Sequence, residues 1–144
     1  MTRIFVLNGV NLGTLGGRQP EIYGDQTLQD IEQLLQDTFP EVDFVFRQTD
    51  HEGELVGWIH EAAASDGLVL NPGAWSHYSY AIHDALEIVS VPKVEVHISN
   101  VHDKEEEWRR ISVISPVVDA VVAGMGSYSY RAAVGYVLDA AVRG

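Results

Sequence analysis

Three apolar, strand-like runs of this sequence end in amide or imidazole side chains. Asn11 follows the first run, Asn71 ends a later one, and His97 stands two residues after Glu95 in a third. Such groups can orient a polar ligand or transfer a proton to it. Taken alone, an asparagine at a strand end is usually a turn former, and a histidine there is more often packed or solvated. Their recurrence at several strand ends favours a ligand site.

A second candidate for chemistry is the loop over residues 13–24, which carries Arg18 and Tyr23. At about a dozen residues it is long for a connection from strand to helix, and such loops often serve as lids. Tyrosine is a poor base at its ordinary pKa of about 10, but a neighbouring guanidinium favours the phenolate. Arg18 and Tyr23 could form that pair. The alternative is that Tyr23 packs and Arg18 is solvated.

The segments that carry these residues alternate between strand and helix. Strands are predicted over residues 4–7, 43–47, 67–71, 93–96 and 120–123, and helices over 27–39, 50–64, 79–89, 103–110 and 130–142. This alternation predicts an α/β fold with a parallel sheet covered on both faces. Five strands in one domain, residues 1–144, favour the flavodoxin-like, doubly wound order 2-1-3-4-5.

In such sheets ligands bind beyond the carboxyl ends of the strands. The predicted order therefore brings Asn11, Asn71 and His97 to one edge, together with the backbone amides of Ile98 and Ser99.

Charge and composition exclude several kinds of partner. The net charge of −12 argues against nucleic acid, which needs clustered lysine and arginine. It still allows a small anion held by a few local donors. The acidity is read as solvated surface, and salt adaptation is an alternative. No apolar run reaches transmembrane length and no signal peptide is recognised, so we expect a cytoplasmic protein without membrane contact.

Metal and dinucleotide sites are not predicted. The sequence has no cysteine, and its six histidines show neither HxH nor HxxxH spacing, so we expect no metal. Gly124 and Gly126 follow a strand as in a phosphate loop, but the third glycine of a dinucleotide fingerprint is missing.

Three sequence blocks together resemble the type II 3-dehydroquinate dehydratases. They cover residues 7–24, 71–86 and 95–100, in an order and spacing that agree with that family from residue 4 to residue 138. The resemblance implies trans-elimination of water from 3-dehydroquinate to give 3-dehydroshikimate through an enolate, without a cofactor.

The resemblance also implies roles for individual residues. Tyr23, as a phenolate kept so by Arg18, would remove the C2 proton, and Asn11 would hold a water that stabilises the enolate. His97, oriented by Glu95, would protonate the departing C1 hydroxyl.

The same resemblance implies a substrate-binding set and an assembly. Asn71 and the backbone amides of Ile98 and Ser99 would bind the carboxylate, and His77 and Arg109 the ring hydroxyls. Asp84 would reach the site of a neighbouring subunit, since the family typically forms a homododecamer of trimers.

Several positions depart from the family pattern. Val10, Gly13, His83 and Lys104 stand where proline, asparagine, arginine and arginine are usual. An extra residue after His97 leaves open whether Arg109 or Arg110 reaches the substrate. Two other functions therefore stay open: a paralogue that acts on another hydroxylated cyclic acid, and a non-catalytic binding or assembly protein on the same scaffold.

Overall fold

Five parallel strands form the centre of the protein. The structure, a computed structural model, describes residues 1–17 and 19–143, and for Tyr23 only the backbone. The strands are β1 (Thr2–Asn8), β2 (Val42–Gln48), β3 (Gly67–Asn71), β4 (Lys93–His97) and β5 (Ala120–Ala123). They lie in the order β2-β1-β3-β4-β5, which confirms the predicted flavodoxin-like topology.

Five α-helices lie in the described residues: α1 (Pro20–Tyr23), α2 (Leu28–Thr38), α3 (Glu52–Ala62), α4 (Tyr80–Ile88) and α5 (Tyr128–Arg143). Four of them match predicted helices, α1 lies in the predicted loop, and side-chain caps mark the start of α2 and α4. At α2, Thr27 and Asp30 form a reciprocal capping box, and Ser79 accepts the amide of Ile82 at the start of α4. None of the helices in the described part of the chain is long and apolar enough to cross a membrane.

Apolar side chains pack on both faces of the sheet. Ile4 and Val6 of β1 join a core with α2 and α5, while Phe5 and Leu7 join a second core with α3 and α4. Successive side chains of a strand point to opposite faces. A strand buried on both faces is therefore mostly apolar, which is why residues 4–7 of β1 and 68–70 of β3 form continuous apolar runs.

The prediction of a helix over residues 103–110 is wrong. The chain there forms two separate 3-10 turns, Val101–Asp103 and Glu107–Arg110. Asn100 caps the first turn by accepting the amide of His102. The segment after it is highly charged, and Trp108 is its only large apolar residue. A helix there would have no apolar stripe to bury, so tertiary packing does not favour one.

Candidate active site

A cavity of about 170 Å³ lies at the carboxyl edge of the sheet. It brings together residues from the ends of β1, β3 and β4 and from the loop after β4. The sequence-predicted site residues that line it are Asn11, Asn71, His77, His97, Ile98, Ser99 and Arg109. The topology argument therefore predicted correctly that Asn11, Asn71 and His97 meet at one edge of the sheet.

The loops after β1 and β3 approach closely and shape the floor of this cavity. Gly9 donates its amide to the Asn71 carbonyl over 2.8 Å. A Cβ on Gly9 would lie 2.5 Å from the carbonyl oxygen of Pro72. Gly73 has a φ of +62°, and a Cβ there would lie 2.7 Å from the carbonyl oxygen of Val10. Both positions therefore require glycine, since backbone atoms occupy the space of a side chain.

Asn11 follows β1 in a left-handed conformation, with a φ of 67°. Asparagine tolerates this region better than most residues. Its amide N–H donates to Asp50 Oδ1 over 2.8 Å, and its carbonyl accepts from the Thr14 hydroxyl over 2.7 Å. Hydrogen bonds from both its N–H and its carbonyl therefore fix the backbone of Asn11, which lines the cavity.

His97 and Glu95 form a buried pair on one face of β4. His97 Nε2 lies 2.5 Å from Glu95 Oε2, as expected for residues two apart on a strand. Burial raises the pKa of Glu95, but its hydrogen bond and charge interaction with His97, and the hydroxyls of Ser115 and Ser112, outweigh burial and lower the pKa below its ordinary value. Glu95 is therefore a carboxylate.

The Glu95 carboxylate determines which nitrogen of His97 carries a proton. A carboxylate only accepts hydrogen bonds, so Nε2 must donate. In the described chain no residue bonds Nδ1 of His97, and no buried side-chain nitrogen or oxygen lacks a partner. Nδ1 is therefore the ring nitrogen that no described residue bonds, and His97 lines the main cavity. This arrangement suits proton transfer to a bound hydroxyl.

His77 presents an acceptor to the same cavity. Its Nδ1 lies 2.7 Å from the carbonyl oxygen of Ile111, which can only accept, so Nδ1 carries the proton. Burial is the largest cause that lowers the pKa of His77. The neutral ring leaves Nε2 with a free lone pair, and Trp108 packs edge-on against the ring at 5.4 Å. His77 is therefore suited to accept a hydrogen bond from a hydroxyl.

Of the two arginines left open by the sequence, Arg109 lines the cavity. Its Nε donates to Glu106 over 2.9 Å, and its guanidinium stacks 4.3 Å from the centre of the Trp108 ring. Arg110 lines only an adjoining cavity of about 230 Å³ behind His97. Lys104, one of the departures from the family pattern, lines the main cavity.

A buried network that the sequence analysis missed holds Asn71. The Tyr130 hydroxyl donates to Asn8 Oδ1 over 2.7 Å and accepts from Asn71 Nδ2 over 2.9 Å. Asn71 Oδ1 in turn accepts the amide of Gly73. Burial raises the pKa of Tyr130 above its ordinary value, so the phenol is neutral. Tyr130 thereby fixes the orientation of the Asn71 amide from α5.

Replacing Tyr130 with phenylalanine is expected to lower the free energy of unfolding by about 1–3 kcal/mol, since it leaves buried amide groups of Asn8 and Asn71 without their partner. Urea unfolding measures this difference. Tyr136→Phe on the exposed side of the same helix is the control and should change it by less than about 0.5 kcal/mol. Equal stabilities of the two variants would show that the network contributes nothing.

Asp84, a sequence-predicted site residue, does not line the cavity. Asp84 lies on the exposed side of α4, where it pairs with His83 over 2.8 Å. Arg18 and the side chain of Tyr23 lie outside the described residues. Glu95 contacts the cavity only through His97.

On α4, His83, Asp84 and Glu87 place potential metal ligands within 4.8 Å of one another, in an exposed cluster that includes the His83–Asp84 pair.

Comparison with known proteins assigns the family. The sequence model of the family "Dehydroquinase class II" matches residues 2–138. A 3-dehydroquinate dehydratase of Salinispora tropica is 52% identical over 134 residues, which are 91% of this chain and 93% of that protein.

Solved structures agree with this assignment. A type II dehydroquinase of Butyrivibrio crossotus superposes with a TM-score of 0.92 at 40% identity, covering 95% of this chain and 97% of the other. One from Propionibacterium acnes also gives 0.92, at 44% identity, covering 96% and 97%. This chain therefore belongs to the class II dehydroquinase family.

Proposed function

We propose that the protein is a 3-dehydroquinate dehydratase, which eliminates water from 3-dehydroquinate to give 3-dehydroshikimate. The observation that carries the proposal is the buried Glu95–His97 pair, whose histidine lines the cavity together with Asn11, Asn71 and His77. The names of the most similar relatives support the same reaction.

In the proposed mechanism one base and one acid act on neighbouring carbons. The Tyr23 phenolate, favoured by the Arg18 guanidinium, takes the C2 proton, and the electrons of that bond form an enolate at the neighbouring ketone. A water held by Asn11 stabilises the enolate oxygen. The enolate then expels the C1 hydroxyl, which takes the Nδ1 proton of a doubly protonated His97 and leaves as water, while Nε2 keeps its proton against Glu95. The parts of Tyr23 and Arg18 rest on the family resemblance.

Substrate binding in this proposal uses neutral and cationic donors around the cavity. Asn71 and the backbone amides of Ile98 and Ser99 bind the carboxylate, and neither backbone amide donates a loop hydrogen bond within the described residues. The neutral His77 accepts from one ring hydroxyl, and Arg109 contacts another. These local donors can hold an anion although the whole chain is strongly acidic.

We further propose that residues 1–144 act as one domain within a cytoplasmic homododecamer built from trimers. In that assembly Asp84, which lies away from the cavity of its own chain, would reach the site of a neighbouring subunit. Its exposure on α4 is compatible with this role. The reaction would serve aromatic biosynthesis or quinate breakdown.

Ultraviolet detection of 3-dehydroshikimate tests the proposed reaction, because the product has a conjugated double bond that the substrate lacks. Purified protein should form product steadily from 3-dehydroquinate. Absence of product with thermal stabilisation by the substrate would indicate a binding protein. Absence of both would indicate another hydroxylated cyclic acid as substrate. Either result would overturn the proposal.

A further inference from the structure

Two serines outside the main cavity donate hydrogen bonds to Glu95. Ser112 Oγ lies 3.0 Å from each carboxylate oxygen, and Ser115 Oγ lies 2.6 Å from Oε1. Both come from the segment between the turn at Glu107–Arg110 and β5, and both line the adjoining cavity behind His97. The mechanism proposed above gives them no role.

The surroundings of Ser112 fix the direction of its hydroxyl. Its oxygen accepts the backbone amides of Ile114 and Ser115, each over 3.1 Å. A hydroxyl has one proton and two lone pairs. Because both lone pairs are used by N–H groups, the proton must point to Glu95.

The direction of the Ser112 hydroxyl also determines the protonation state of Glu95. A protonated carboxyl group would need an acceptor, and Ser112 cannot be one. With donors from Ser112, Ser115 and His97, the oxygens of Glu95 are surrounded by groups that favour the carboxylate. Ser115 bonds Oε1, which His97 does not bond, and Ser112 bonds both oxygens, so the orientation of the carboxylate is fixed.

We propose that Ser112 and Ser115 are positioning residues for the elimination: they hold Glu95 as an oriented carboxylate, which keeps Nε2 of His97 protonated and turns the ring so that a second proton, on Nδ1, faces the leaving hydroxyl. The catalytic part of this inference rests on the proposed dehydratase function. The hydrogen-bond geometry does not depend on that function.

Several charged or titratable groups share the two cavities with the Glu95–His97 pair. They are His77, His102, Lys104, Arg109 and Arg110. Within the described chain, only His97, Ser112 and Ser115 bond the Glu95 carboxylate. A serine substitution therefore removes a neutral donor and leaves all of these charges in place.

Ser115→Ala is the cleanest variant, since Ser112 also caps the following turn. We expect kcat to fall about 10- to 100-fold with KM unchanged, as for loss of a hydrogen bond to a charged group. Ser115→Thr, which restores a hydroxyl, should recover most of kcat. Ser65→Ala is the matched control. It removes a half-buried hydroxyl that bonds Ala62 and Gly67 at the start of β3, the end of that strand away from the cavity.

Measurements of kcat and of unfolding free energy at acid pH distinguish a positioning role of the serines from a packing role. His97 and the two hydroxyls lower the pKa of Glu95 in the folded protein. The carboxylate therefore stabilises the fold fully above the ordinary glutamate pKa of 4.5, and this stability is lost as pH falls through the lower folded pKa. In Ser115→Ala the folded pKa rises. The acid loss of kcat should then move to higher pH, and the acid loss of unfolding free energy should become smaller and end at higher pH, than in the parent or in Ser65→Ala.

These outcomes decide the inference whether or not the proposed reaction is correct. If the parental protein forms no 3-dehydroshikimate, the proposed function fails, and the acid unfolding curves alone test the serines. A Ser115→Ala variant with the parental acid unfolding curve would overturn the inference. So would a variant of an active enzyme that loses kcat without any movement of the acid limb, because that result indicates a packing role.

Discussion

Replacing His97 with asparagine is expected to lower kcat for water elimination by about 10²–10⁴-fold, the usual contribution of a general acid, with little change in KM. His97 is the only proton donor that the structure places both against Glu95 and in the main cavity, among the residues it describes. Asparagine can keep a hydrogen bond to Glu95 but cannot supply a proton. Initial rates of 3-dehydroshikimate formation measure the effect.

The matched control for this variant is His60→Asn. His60 is an exposed histidine of α3, and it lines none of the cavities described above. Its replacement should leave kcat and KM at the parental values. A His97→Asn enzyme with parental kcat, and with the fold intact by circular dichroism, would rule out His97 as the acid.

Replacing Glu95 with glutamine is expected to reduce both turnover and stability. The glutamine amide must place an NH2 group against donors that now face a carboxylate. If that group faces His97, Nε2 has to become the acceptor, so His97 can no longer carry protons on both ring nitrogens and loses the charged form that acts as the acid. We expect kcat to fall about 10²–10⁴-fold and the free energy of unfolding to fall by about 3–5 kcal/mol.

The dependence of this stability loss on pH has a defined sign. Because the pKa of Glu95 is lowered in the fold, the carboxylate contributes its full stability above the ordinary value of 4.5, and this contribution disappears as pH falls through the folded pKa. The difference between parent and Glu95→Gln should therefore shrink in acid. Urea unfolding over a pH series measures it.

Glu61→Gln serves as the control for Glu95→Gln. Glu61 forms an ion pair with Arg47 over 2.9 Å, but its side chain is half exposed. Such surface pairs contribute at most about 1 kcal/mol. If the two glutamine variants lose the same stability, the buried pair has no special role.

The sheet was predictable because its pattern is local. Each strand buried on both faces is an apolar run, and β3 at Gly67–Asn71 and β5 at Ala120–Ala123 begin and end where the sequence predicts. The strand order followed from the alternation with helices. The segment 103–110 was predicted wrongly as a helix, because a charged sequence without an apolar stripe gives local propensity but no packing partner.

The site was predictable only where topology alone places residues. Asn11, Asn71 and His97 stand at the ends of strands, so their meeting at one edge follows from the fold. Tyr130 is distant in sequence from both Asn8 and Asn71, and no local spacing joins them. The buried position of Asn8 at the end of β1 was the available signal, since a buried amide needs partners.

Ser112 and Ser115 were missed for a related reason. Their partner Glu95 lies on another element, and serine hydroxyls in a loop usually serve turns. The spacing of Glu95 and His97 indicated the pair itself, but only the folded structure shows which hydroxyls bond the Glu95 carboxylate. Long-range polar networks of this kind are therefore the part of the site that a single sequence does not reveal.

A crystal structure with bound quinate tests the central claim most directly. Quinate has the C1 hydroxyl and carboxylate of the proposed substrate, but a hydroxyl replaces the ketone at C3, so it cannot form the enolate. Its carboxylate should lie against the amides of Ile98 and Ser99 near Asn71, with the C1 hydroxyl about 2.6–3.2 Å from His97 Nδ1. Quinate bound in the cavity with its C1 hydroxyl out of reach of His97 would contradict the account.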